Sequence, residues 1–294
     1  MKLPVFRGVG TAIVTPFRDG AVDYGRLERQ LDFQLENGVD AVIVCGTTGE
    51  SSTMQFEEQK KAIAHCVCYV NGRCVVIAGT GGNDTAAVLE KSRSAAGDGA
   101  DALLLVTPYY NKCTQQGLVD HYVYIADRVN VPIIVYNVPS RTGVNMTVET
   151  YRALSRHPRV NGVKEASGDV AKAARTLAAC GSDFRVWSGN DTETVPLMSL
   201  GADGVISVLA NLCPAETALM TRACLEGRFA AAGRLQLSYM ELIDALFCEV
   251  NPIPVKAAMR LLGRDSGETR MPLSELEPAH LERLAAAMKS AALL

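Results

Sequence analysis

Short apolar, β-branched runs recur along most of the chain. Each is followed by glycine or small polar residues and then by an amphipathic stretch. The runs at 10–15, 41–46, 74–79, 102–107, 133–137, 160–164, 184–188 and 204–208 predict strands. Helical spacing lies between them, as with Leu27, Leu31 and Leu35 in 24–37, or Ala62, Ile63, Cys66, Val67 and Val70 in 57–70. A faint internal repeat follows the same alternation. Gly38-Val39-Asp40, Gly99-Ala100-Asp101 and Gly201-Ala202-Asp203 each end a helix and lead into a strand, with glycine supplying a left-handed C-cap.

Roughly eight β-then-α units in about 210 residues, with strands apolar enough to be covered on both faces, predict a closed (β/α)8 TIM barrel rather than a doubly wound sheet. The pattern then turns wholly helical, at 215–226, 230–250, 252–262 and 273–293, which exceeds what one closing helix needs. Asn251-Pro252-Ile253-Pro254 marks a sharp break, because each proline disfavours helix in the residue before it. The expected division is a barrel over 1–225 and a small C-terminal helical region over 226–294, packed on the barrel or on a neighbouring subunit.

Composition narrows the function. A hydrophobic content of 48% is ample for a full core, and a net charge of -3 removes the electrostatic case for nucleic acid or an acidic membrane surface. No apolar run approaches a membrane span, and MKLPVFRGVG lacks the apolar stretch of a signal peptide, so the expected location is cytoplasmic. The 9 cysteines are odd in number and include no Cys-x-x-Cys pair, so they read as apolar fillers. His65 and Cys68 would share a helix face but lack a second half of a metal site, and no metal or organic cofactor is expected.

In a (β/α) barrel the chemistry gathers where the strands end, and here those ends are strongly polar. Lys164 stands out because it closes an apolar run, where an ammonium loses its hydration. One reading has it cap the strand and turn toward Glu165, Asp169 or water. The other places it in a dry pocket that lowers its pKa and leaves a neutral amine able to attack a carbonyl. Tyr136 ends the adjacent strand and can shuttle protons, although a strand-end tyrosine is commonly a packed aromatic. The loop at 46–50, GTTGE, reads as an ordinary capped turn or as a carboxylate cradle of N–H and O–H groups. Arg141 follows in a Pro-Ser-Arg-Thr-Gly turn with a fork that suits a carboxylate. No Ser/His/Asp set or metal cluster shares these loops.

Taken together, GTTGES at Gly46, TPYYNK at Thr107, YNVPSRTG at Tyr136, GVKEASGD at Gly162, SGND at Ser188 and NPIPVK at Asn251 resemble the dihydrodipicolinate synthases. These belong to the pyruvate-dependent Schiff-base aldolase and lyase superfamily, which includes N-acetylneuraminate lyase. The match runs in order from Gly10 to Lys256. The resemblance implies that Lys164 forms an imine with pyruvate and that Tyr136 relays protons with Thr47 and with Tyr110, the last reaching across a dimer interface. It implies that Thr47 and Thr48 hold the pyruvate carboxylate, that Arg141 holds the carboxylate of L-aspartate 4-semialdehyde, and that Gly189 and Ile206 line the pocket through their backbones. The implied assembly is a homotetramer, with a dimer as the alternative. Arg141 separates this branch from the sialic-acid lyases, which lack arginine in that turn. Another keto-acid lyase and a non-catalytic keto-acid-binding barrel are the rival expectations. Where lysine-inhibited relatives carry a histidine and a carboxylate, this chain has Gln59 and Ala87, so feedback by lysine is expected to be weak or absent.

Overall fold

The computed structural model describes residues 2–294. Eight parallel strands close into a barrel: β1 (Gly8–Ala12), β2 (Ala41–Val44), β3 (Val75–Gly79), β4 (Ala102–Val106), β5 (Ile133–Asn137), β6 (Val160–Glu165), β7 (Arg185–Ser188) and β8 (Gly204–Ser207). They are ordered around the barrel as in the chain, and β1 pairs with both β2 and β8. Each expected strand is present. The first ends earlier than its apolar run, at Ala12, because the Val14 N–H leaves the ladder and donates to Asn211 Oδ1 at 3.2 Å.

Alternate strand residues build two layers, as the period of two requires. Ala41, Ile43, Ile77, Ala102, Leu104, Ile134, Trp187 and Ile206 fill the inside of the barrel, whereas Val42, Val76, Leu103, Val135, Val163 and Val205 face the helices. Phe6 stacks on Trp187 with ring centroids 5.3 Å apart, and Trp187 Nε1 donates to the Phe6 carbonyl at 3.2 Å, so the one tryptophan is buried with its polar group satisfied. Gly162 is obligatory, since a Cβ there would lie 2.0 Å from the Arg185 carbonyl oxygen.

The Gly-x-Asp repeat has a common geometry. Gly38, Gly99 and Gly201 all have positive φ, and the following Asp40, Asp101 and Asp203 donate their backbone N–H to the carbonyls of Val9, Val76 and Val186. Asp40 and Asp101 also accept from the N–H of Val9 and Val76, at 2.9 and 2.8 Å. These reciprocal pairs tie each incoming turn to the start of a neighbouring strand, at the end of the barrel opposite the strands' C-termini.

Four helices follow the last strand: Pro214–Leu225, Phe229–Leu246, Ile253–Leu261 and Pro278–Ser290. Two boundaries differ from expectation. The last helix starts at Pro278 rather than near Leu273, because proline opens it and holds Glu277 extended at φ -59, ψ 143. The second stops at Leu246, which frees the segment carrying Phe247 and Asn251 to turn back over the barrel. Leu242, Ile243, Leu246, Val255, Met259 and Leu284 form a second apolar cluster with Val14, Val208, Leu209 and Leu212 of the barrel. Beneath it lies a buried ion pair, Lys256 Nζ to Glu50 Oε1 at 2.6 Å, with both side chains fully covered. Lys256 also donates to the Thr15 carbonyl, and Glu50 accepts the backbone N–H of Arg270. Glu50 is in the left-handed region, at φ 54, and belongs to the GTTGE loop.

Candidate active site

A cavity of about 180 Å³ opens where the strands end. Its walls include Gly46, Thr47, Thr48, Tyr136, Arg141, Lys164, Gly189, Asn190, Phe247 and Asn251. Six of the eight residues singled out from the sequence therefore converge: Tyr136 and Lys164 from the ends of β5 and β6, Thr47, Thr48 and Gly189 from the loops after β2 and β7, and Arg141 from the turn after β5. Ile206 packs beneath them inside the barrel, and Val208 takes the wall position on that side. Tyr110 does not reach the cavity within this chain; it is 91% exposed, on a loop with φ 70.

Lys164 occupies β6 between the outward-facing Val163 and Glu165, so the pleat turns it inward. It is only 6% exposed. Burial brings its pKa down to about 8, the buried carboxylate of Asp191 opposes the shift, and the Arg141 guanidinium reinforces it. Its side chain lines the cavity at the barrel mouth and does not turn out to solvent.

Tyr136 is its register partner on β5, and Lys164 Nζ sits 4.4 Å from the tyrosine ring centre. Burial raises the Tyr136 phenol above its ordinary range, while Arg141 and a hydrogen bond from the Thr47 side chain pull it back. A lysine of lowered pKa thus adjoins a phenol that is hydrogen-bonded and within the field of a cation.

The GTTGE loop closes on itself through Gly49 N–H to Gly46 O and Glu50 N–H to Thr47 O, and neither bond uses the N–H of Thr47 or Thr48. Arg141 stands at the exposed rim, on a short helix, Pro139–Thr142, capped by Gly143 at φ 67. Its Nη2 donates to the Asn251 carbonyl at 3.1 Å.

Two residues to which the sequence assigned no role stand close to this group: Asn251 lines the cavity, and the carboxylate of Asp191 acts on Lys164. Asn251 links Thr48 and Arg141, because its Nδ2 donates to Thr48 Oγ1 at 2.9 Å while its carbonyl receives Arg141. Its Oδ1 is buried without a partner among the described residues. Asp191 is fixed by the Ser207 hydroxyl and the N–H groups of Val208 and Leu209. Both lie within quoted motifs, NPIPVK and SGND, but only the folded chain brings them to Lys164.

A closed barrel with a desolvated lysine beside a tyrosine at its catalytic mouth is the architecture of the lysine-dependent barrel aldolases and lyases. The chain belongs to the Dihydrodipicolinate synthetase family, whose model matches residues 5–291. It is 51% identical over 293 residues to the 4-hydroxy-tetrahydrodipicolinate synthase of Thermoanaerobacter sp. (strain X514), covering 99% of each chain. The solved dihydrodipicolinate synthase of Thermotoga maritima superposes with a TM-score of 0.97 at 44% identity, over 99% of this chain and 100% of that one. The chloride-inhibited dihydrodipicolinate synthase of Acinetobacter baumannii, solved in complex with pyruvate, has a TM-score of 0.96 at 41% identity, over 98% of this chain and 99% of that one.

Proposed function

We propose that the chain is a lyase that condenses pyruvate with L-aspartate 4-semialdehyde to give 4-hydroxy-tetrahydrodipicolinate, the committed step toward diaminopimelate and lysine. The observation that carries this reading is Lys164, buried with a lowered pKa against Tyr136 in a mouth that also holds Arg141.

The neutral Lys164 amine attacks the keto carbon of pyruvate, and loss of water gives an imine. A proton leaves the methyl carbon, and the electron pair passes into the imine to form an enamine. That carbon attacks the aldehyde of the second substrate. The substrate's own amine then adds to the imine carbon and expels Lys164, closing the six-membered ring. Tyr136, held by Thr47, carries protons to and from these centres. Thr47 and Thr48 hold the pyruvate carboxylate, Arg141 holds that of the semialdehyde, and Gly189 and Ile206 shape the pocket through their backbones. The lysine supplies the electron sink, so the route needs neither metal nor organic cofactor.

Tyr110 completes the proton relay from a second copy of the chain, in a homotetramer built from two dimers. The exposure of this tyrosine supports that assignment. Sedimentation, together with the activity of Tyr110→Phe, tests it. No helix among the described residues is long and apolar enough to cross a membrane, which agrees with a cytoplasmic location.

Borohydride reduction in the presence of pyruvate tests the central step, with mass spectrometry to locate the adduct. The expected product is a pyruvyl adduct on Lys164 that disappears when aspartate semialdehyde is added before the reductant. Cleavage of N-acetylneuraminate or 2-keto-3-deoxygluconate to pyruvate, with no turnover of aspartate semialdehyde, would favour the keto-sugar lyases. Absence of any adduct, or an active Lys164→Ala, would leave the non-catalytic barrel.

A further inference from the structure

Behind the catalytic pair, on the outer face of the barrel, lies a polar cluster that the mechanism does not use. Tyr136 and Lys164 point inward, so the next residue on each strand, Asn137 and Glu165, points outward into the layer beneath the helices. Asn137 and Glu165 are themselves register partners. Glu165 is 2% exposed and accepts three hydrogen bonds, from Asn137 Nδ2 at 2.9 Å, the Ser167 N–H at 2.9 Å and the Tyr151 hydroxyl at 2.7 Å, and it pairs with the Lys172 ammonium at 3.2 Å. Tyr151 comes from the helix Val148–Ser155 and Lys172 from Val170–Cys180. One carboxylate thus joins β5, β6 and two of the helices that cover them.

The cluster extends to the arginine turn. Lys172 Nζ donates to Asn145 Oδ1 at 2.5 Å, Asn137 Nδ2 donates to the same atom at 3.0 Å, and Asn137 Oδ1 accepts the Met146 N–H at 3.0 Å. Residues 138–146, which carry Arg141, are therefore anchored where they rejoin the barrel. The buried side chains of Asn137, Tyr151 and Glu165 have all their polar atoms engaged, which holds the centre of the cluster in one arrangement.

We infer that Glu165 is a positioning residue for the reaction, holding Tyr136, Lys164 and the Arg141 turn in mutual register from behind. The inference rests on the roles proposed for those three residues. A misplacement of about 1 Å at a reacting group can cost about a hundredfold in rate, whereas a bare cluster of buried charges need contribute nothing to stability.

Charge balance and positioning separate in a double variant. Glu165→Gln alone strands the Lys172 ammonium and is expected to lower the melting temperature sharply. The double variant Glu165→Gln with Lys172→Met removes both charges together. It is expected to melt within a few degrees of the parent and to trap pyruvate on Lys164, while kcat falls roughly ten- to a hundredfold at little-changed KM for pyruvate, read per mole of folded protein. Tyr151→Phe, which deletes a single hydrogen bond, should lose less. A double variant with kcat within about twofold of the parent overturns the inference, as does a loss of kcat that only tracks the fraction folded. If the parent enzyme itself traps no pyruvate, the Schiff-base assignment fails instead.

Discussion

Lys164 and Tyr136 are register partners on adjacent strands, and the lysine nitrogen lies 4.4 Å from the centre of the tyrosine ring. Parallel pairing sets that proximity through the backbone, before any side-chain interaction is considered. A buried amine is worth more to catalysis uncharged, so the pairing bears directly on how the rate depends on pH. With the Lys164 pKa brought down from 10.5 to about 8, kcat/KM for pyruvate is expected to rise from pH 7 to pH 9 with a midpoint near 8. A profile flat across that interval would show that the amine does not titrate there.

The same shift has a cost for folding. The unfolded chain holds the Lys164 proton up to about 10.5 and the folded chain only to about 8, so the penalty of protonating the buried amine is fully present below pH 8 and is gone above about 10.5. Lys164→Met is therefore expected to be inactive yet more stable than the parent at neutral pH. The gain should fade between pH 8 and 10.5, as followed by denaturant melts at matched pH.

Tyr136→Phe keeps the ring beside Lys164 and removes the hydroxyl that Thr47 supports. The expected loss is in kcat, about a hundredfold or more, with the pyruvate adduct on Lys164 still obtainable after long incubation. Thr47→Val should show a smaller loss of the same kind.

On the proposed function, Arg141 at the exposed rim meets the second substrate and not the first. Arg141→Met is expected to raise KM for aspartate semialdehyde about ten- to a hundredfold, the worth of a charge-assisted hydrogen bond, and to leave pyruvate trapping unchanged. Equal loss for both substrates would place the arginine elsewhere in the mechanism.

Lysine is expected to be a poor inhibitor. A second cavity, beside Thr47 and Arg141, is lined by Ser51, Gln59, Tyr109 and Lys91, and the family resemblance implies that Ala87 replaces a carboxylate of lysine-inhibited relatives. Gln59 already spends its Nε2 on the Ser51 and Met54 carbonyls. An incoming ammonium would find a cation and no counter-charge among these wall residues. Steady-state rates should be unchanged at low millimolar lysine, and inhibition at micromolar lysine would contradict this.

Much of this was legible in the chain because the period of two and the glycine turns are local signals. They placed the eight strands to within a few residues and put Lys164 and Tyr136 at neighbouring strand ends. The last helix was misjudged because its apolar spacing continued upstream of Pro278, and the proline's steric demand on Glu277 overrode it. Asn251, Asp191 and Lys172 carried no local sign of their roles. Asn251 acts by bridging Thr48 and Arg141, residues far from it in sequence, and Glu165 looked like an ordinary charge beside Lys164 until the strand pairing set it against Asn137.

The buried pair of Lys256 and Glu50 gives the helical tail a part in timing. The GTTGE loop is synthesised early, but Glu50 meets its counter-charge only when Lys256 has been made, and receives the Arg270 N–H later still. A nascent barrel therefore carries an open carboxylate at the end of its GTTGE loop. The enzyme is expected to remain silent on the ribosome until its final helices emerge.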